Sequence, residues 1–185
     1  MAPPFDIVPY LSVLAEAESL GLECVYPNGG SFAPVGEAWH VAGWITGDDV
    51  TVRPAFADRV RRLDVDELPA FLAGAVEWLT TQPTWLMPVH HWAAELDHGW
   101  TSDGRSTADL FQDELAGRTV ADAVVLPDAR AVFELAEVLL PRLWKTDFTL
   151  MLPGVKAYAL LHHHGQVWWR CADEEVATTF LRRDS

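Results

Sequence analysis

The chain has 185 residues, half of them apolar and 22% charged, with a formal net charge of −14. Length and composition fit one domain with a real core and argue against wholesale disorder, while the acidic balance argues against nucleic-acid binding through a basic patch. No apolar stretch approaches the roughly 20 residues that span a bilayer, so no membrane association is expected.

The start, Met1-Ala2-Pro3-Pro4-Phe5-Asp6, has no basic region ahead of an apolar one, and no signal peptide is expected. Asp6 is placed to cap a helix over 7–20, with Tyr10, Leu11, Leu14 and Ala17 on one face and Gly21 as its stop. A short strand over 22–27 runs into the turn-rich Pro27-Asn28-Gly29-Gly30-Ser31, which lacks the lysine of a phosphate loop. Residues 37–46 alternate as a strand, and Gly47-Asp48 fits a two-residue turn returning into a second strand over 49–53. Leu68, Phe71, Leu72, Ala75 and Leu79 then repeat at helical spacing, predicting a helix over 69–80 that Pro83 ends.

Residues 84–100 are rich in tryptophan and broken by Pro88, and read as an irregular turn followed by a short helix from Val89. Ser106 with Asp109 resembles a capping box opening a helix over 107–116 that Gly117 stops. Asp128 caps a longer helix over 128–143 whose stripe is Val132, Phe133, Ala136, Leu139, Leu140 and Leu143, with Pro141 kinking or ending it. Strands follow over 148–152, 155–163 and 166–171, the last two flanking His164-Gly165 as a hairpin with apolar residues on both faces. Asp173, Glu174 and Glu175 open a final helix over 174–183, which Arg182 and Arg183 close. The pattern is α+β: a single domain over 1–185, with a mostly antiparallel sheet covered by about five helices.

Charge and aromatic residues are unevenly spread. Residues 64–140 hold 14 acids against 3 bases, whereas 141–185 hold 5 acids against 6 bases. Nine tryptophans, several times ordinary usage, imply a large buried aromatic surface in a core, a ligand slot or an interface. Trp78, Trp85, Trp92 and Trp100 recur through the acidic middle, and an apolar face rimmed by acid suits a basic protein or peptide. The leading expectation is therefore a non-catalytic acidic binding module, an inhibitor, immunity-type or adaptor protein. Its docking residues would be Trp85, Trp92, Glu95, Asp97 and Trp100.

The rival expectation is a metal-dependent enzyme, most simply a hydrolase. On a helix through 89–98, His91, Glu95 and His98 share one face and present the nitrogen and oxygen ligands that zinc or iron accepts. His162 and His164, in the run His162-His163-His164, point to one side of a strand and offer further imidazoles. Sequence alone does not bring the two segments together. No Gly-x-Ser-x-Gly elbow is present. Cys24 and Cys171 are too few for a disulfide framework, so buried reduced thiols and a cytoplasmic location are expected.

Overall fold

The computed structural model of the chain describes residues 6–46, 52, 54–98, 115, 117–140, 143 and 146–182. Among them the strands are β1 (Ile7–Val8), β2 (Leu22–Cys24), β3 (Phe32–Pro34), β4 (His40–Thr46), β5 (Val60–Leu63), β6 (Thr84–Pro88), β7 (Ala123–Leu126), β8 (Phe148–Met151), β9 (Ala157–His162) and β10 (Gln166–Cys171). The α-helices are α1 (Tyr10–Ser19), α2 (Leu68–Leu79), α3 (Trp92–His98), α4 (Ala129–Leu139) and α5 (Glu174–Leu181), joined by a short 3-10 helix over Pro54–Arg59. None is long and apolar enough to cross a membrane.

Eight strands share one sheet in the order β1-β7-β6-β8-β9-β10-β4-β5, while β2 and β3 pair separately. Every pair in the large sheet is antiparallel except β4 with β5. The sheet is therefore mostly antiparallel, as the hairpin signals predict. The parallel pair needs a crossover, and the segment containing the 3-10 helix supplies it.

Both faces of the sheet are covered. In register across it stand Val124, Leu86, Leu150, Ala159, Trp169 and Ala42, all buried in the cluster that also holds the inner faces of α2, α4 and α5. The alternate residues Met87, Met151 and Tyr158 pack on the other side against Val13 and Ala17 of α1 and Leu22 and Phe32 of the small sheet. Coverage on two sides explains why β8, β9 and β10 read as nearly continuous apolar runs.

Several local signals act as expected. Asp128 accepts the Ala131 N–H at 2.8 Å to cap α4, and Asp173 accepts the Glu175 N–H at 2.7 Å to cap α5. Helix α4 ends at Leu139, short of the expected 143, because Pro141 follows. Gly165 turns the β9–β10 hairpin at φ +65°, and a Cβ on it would lie 2.5 Å from Thr46 Oγ1.

Other expectations need correction. The helix predicted from residue 7 begins at Tyr10, because Ile7 and Val8 extend the sheet by pairing with Val124 and Ala123. Its cap is Pro9 rather than Asp6, and the orphan Tyr10 N–H is met by Asp122 Oδ1 at 2.7 Å. The strand predicted over 22–27 stops at Cys24. The edges of β4 are held by β10 and β5, not by a return strand over 49–53; the Gly47-Asp48 turn and nearly all of that strand lie outside the described residues. The 107–116 helix with Ser106 and Asp109 also lies outside them. Residues 84–88, read as an irregular turn, form β6 between β7 and β8. The Gly29-Gly30 turn serves packing: Gly30 N–H donates to Pro88 O at 3.0 Å, and a Cβ there would overlap Met87 Cγ and Pro88 O.

Candidate functional site

Helix α3 starts at Trp92, one residue after His91, and that start sets the chemistry of its first turn. His91 Nδ1 accepts the Ala94 N–H at 3.2 Å, so the ring caps the helix and lies off its side. Glu95 is 5% exposed and bonds backward, with Oε1 2.9 Å from His90 Nδ1 and 3.3 Å from the His90 N–H. The Tyr26 ring stacks on His90 at 5.1 Å. Burial raises the Glu95 carboxyl above the ordinary carboxylate range, His90 offsets part of that rise, and the charge of Asp147 adds to it. Of the expected His91, Glu95 and His98 face, Glu95 pairs with His90 and His91 bonds the Ala94 N–H. The side chains of His98 and Asp97, and Trp100 as a whole, lie outside the described residues.

Trp92, expected at an exposed docking surface, is 0% exposed. Its Nε1 donates to Asp122 O at 2.7 Å and its ring lies 5.9 Å from Phe148, so it belongs to the core. Trp85 is half-buried on β6 and packs toward the α1 side. Among the described residues the exposed indole is Trp78 on α2, at 55%.

Trp78 borders a cleft of about 370 Å³ between α2 and α5, lined also by Arg61, Phe71, Gly74, Thr179 and Phe180. Its floor is an aromatic cluster, with Trp44 5.9 Å from Phe71, 5.6 Å from Trp169 and 5.5 Å from Phe180. Trp44 Nε1 donates to Phe180 O at 2.8 Å, which ties α5 to β4. The Arg61 guanidinium lies 4.3 Å above the Phe71 ring and donates to Arg182 O at 2.6 Å. A Cβ on Gly74 would meet nothing within 4 Å, so the α2 wall stands open there. A second hollow of about 530 Å³ lies at the start of α5, lined by Leu79, Lys156, Cys171, Asp173, Glu174 and Val176. The first hollow is aromatic and holds Arg61, and the second holds two acids beside Lys156.

The β9–β10 tip gathers His162, His163 and His164, and the structure joins it to the segment before α3. Val89 N–H donates to Asp147 O at 3.0 Å, and the Asp147 carboxylate bonds His163. His90, Glu95, Asp147 and the three histidines therefore lie at one end of the sheet. Asp147 carried no sequence signal, because its partner is sixteen residues away. Arg61 and Phe71 were likewise invisible as cleft residues, since the parallel β4–β5 pairing places Arg61 beside α2. No protein family matches the chain, and neither a curated protein nor a solved structure is significantly similar to it.

Proposed function

We propose that the chain is a non-catalytic protein-binding module, of the inhibitor, immunity-type or adaptor kind, whose partner seats a basic segment in the α2–α5 groove. The observation that carries the reading is Trp78, a large ring more than half exposed beside a cleft that is already aromatic. Interface hot spots are enriched in tryptophan at such pockets. Asp173 and Glu174 outnumber Lys156 in the second hollow, and the net charge of −14 steers a cationic partner toward the molecule. Of the expected docking residues Trp85, Trp92, Glu95, Asp97 and Trp100, Trp92 and Glu95 are used inside the protein, and the Asp97 side chain and Trp100 lie outside the described residues. The metal-dependent hydrolase at His91, Glu95 and His98 draws no support from the local bonds, which commit His91 Nδ1 and Glu95 elsewhere.

The test is partner capture from the native host at low salt, followed by affinity measurements on the identified complex. Trp78→Ala should weaken binding by about 30-fold, as a hot-spot truncation of roughly 2 kcal/mol does, with the fold retained because the ring is exposed. Glu174→Gln should slow association and reduce its salt dependence. An affinity unchanged in Trp78→Ala would overturn the groove as the seat.

A further inference from the structure

We propose that the tip of the β9–β10 hairpin binds one divalent cation of the zinc type through His162, His163 and His164, with Asp147 as the carboxylate behind the ligands. This site is separate from the α2–α5 groove and does not depend on it.

Three adjacent histidines on a regular strand cannot converge, because alternate side chains point to opposite faces. Here the chain leaves strand geometry after His162, and all three rings gather on one side of the turn. Their centroids lie 4.3 Å apart for His162–His163, 4.3 Å for His163–His164 and 5.1 Å for His162–His164. One ligand nitrogen from each ring lies within 4.8 Å of the others. Two nitrogens on a tetrahedral zinc ion are about 3.4 Å apart, given bonds of roughly 2.0–2.1 Å. The rings are stacked, His162 on His163 at 21° and on His164 at 24°, so they turn out of the stack to grip the ion.

The tip is also supported as a ligand site would be. Asp147 Oδ1 lies 2.8 Å from His163 Nδ1 and accepts the His163 backbone N–H at 2.9 Å. A carboxylate on one imidazole nitrogen fixes the tautomer and turns the other lone pair outward, which is the arrangement behind metal-bound histidines. Asp147 Oδ2 is 3.8 Å from His162 Nε2, beyond hydrogen-bond reach but near enough for its charge to act on that ring. His162 Nδ1 meets the His164 N–H at a long 3.3 Å, a bond that gives way easily to ring rotation. On the other flank, Gly165 O accepts Thr46 Oγ1 at 2.9 Å and Thr46 N–H at 3.2 Å, pinning the turn to the end of β4.

The donor set selects the ion. Three imidazoles suit zinc, copper, iron or nickel, whereas magnesium and calcium take oxygen ligands. Three protein ligands on a four-coordinate ion leave one position for water, reached from the side of the exposed His164.

The experiment uses the full chain without an affinity tag, stripped with a chelator. Cobalt(II) is titrated as a spectroscopic probe and zinc by calorimetry. One ion per chain is expected, with the intense visible absorption of tetrahedral cobalt. Affinity should fall at least tenfold in His164→Ala and in His162→Ala, and by about 10- to 100-fold in Asp147→Asn, while His91→Ala leaves it unchanged. Melting temperatures in chelator separate lost ligands from lost fold. If Asp147→Asn or His162→Ala unfolds, the exposed His164→Ala carries the test alone. Substoichiometric uptake, binding only at millimolar metal, or an affinity unaltered in His164→Ala would overturn the proposal.

Discussion

Replacing Phe180 by alanine removes the ring on which three tryptophans converge. Its centroid lies 4.6 Å from Trp169, 5.5 Å from Trp44 and 5.9 Å from Trp78, and the residue is 4% exposed. The Trp44 Nε1 bond to the backbone oxygen of residue 180 survives the substitution, so the loss is one of packing alone. Phe→Ala at such a site costs about 3–5 kcal/mol, the transfer term plus the cavity left between rigid rings. Typical domains hold about 5–15 kcal/mol in total, so the variant keeps only part of its stability. For a chain of this size roughly 2–4 °C is lost per kcal/mol, giving a fall in melting temperature of roughly 6–20 °C. Thermal melts followed by near-ultraviolet circular dichroism report the loss directly, because the ring environment of Trp44 and Trp169 changes with it. A shift no larger than that of an ordinary surface substitution, about 0.5 kcal/mol, would refute the aromatic cluster as the clamp between α5 and the sheet.

Thiol chemistry checks the burial of the two cysteines. Burial pushes the Cys171 thiol up to about 12 and the residue is 0% exposed, whereas Cys24 is half-buried. A disulfide reagent should therefore modify one thiol in the native protein and two in denaturant, and two fast-reacting native thiols would contradict the placement of β10. Glu95 makes stability depend on pH. Its folded carboxyl is held above the ordinary value of 4.5, mainly by burial, so the folded chain binds that proton more tightly than the unfolded chain. Stability should then fall as pH rises from 4.5 through the raised value, and Glu95→Gln should flatten that slope in urea melts. An unchanged slope would refute the buried carboxyl as its source.

What the sequence disclosed was local. The β9–β10 hairpin, α5 with its Asp173 cap and α4 with its Asp128 cap carry turn, capping and periodicity signals within a few residues of themselves. Strands β1, β6 and β7 carry none of comparable strength. Ile7–Val8 is extended because it pairs with Val124 and Ala123, and Thr84–Pro88 because β7 and β8 lie on either side. The same limit governs the sites. A helix from Val89 would align His91, Glu95 and His98, but a start at Trp92 makes His91 a cap and leaves Glu95 to His90. Trp78 differs from Trp92 only in what packs against it. The convergence of the histidine tip on Asp147 depends on the β8–β9 register, which pairs Phe148 with Leu161 and so brings their neighbours together.

The two strands that end the large sheet have a consequence for behaviour in concentrated solution. An open sheet exposes a row of unsatisfied backbone groups at each side, and a long flat edge recruits further copies into fibrils. Among the described residues one side ends in β1, two residues long and closed by Pro9, which has no N–H to donate, and the other in β5. Strand β5 has four residues that include Arg61 and Arg62, whose like charges repel the same edge of a second molecule. An eight-stranded sheet buried on both faces would otherwise be a template for its own aggregation.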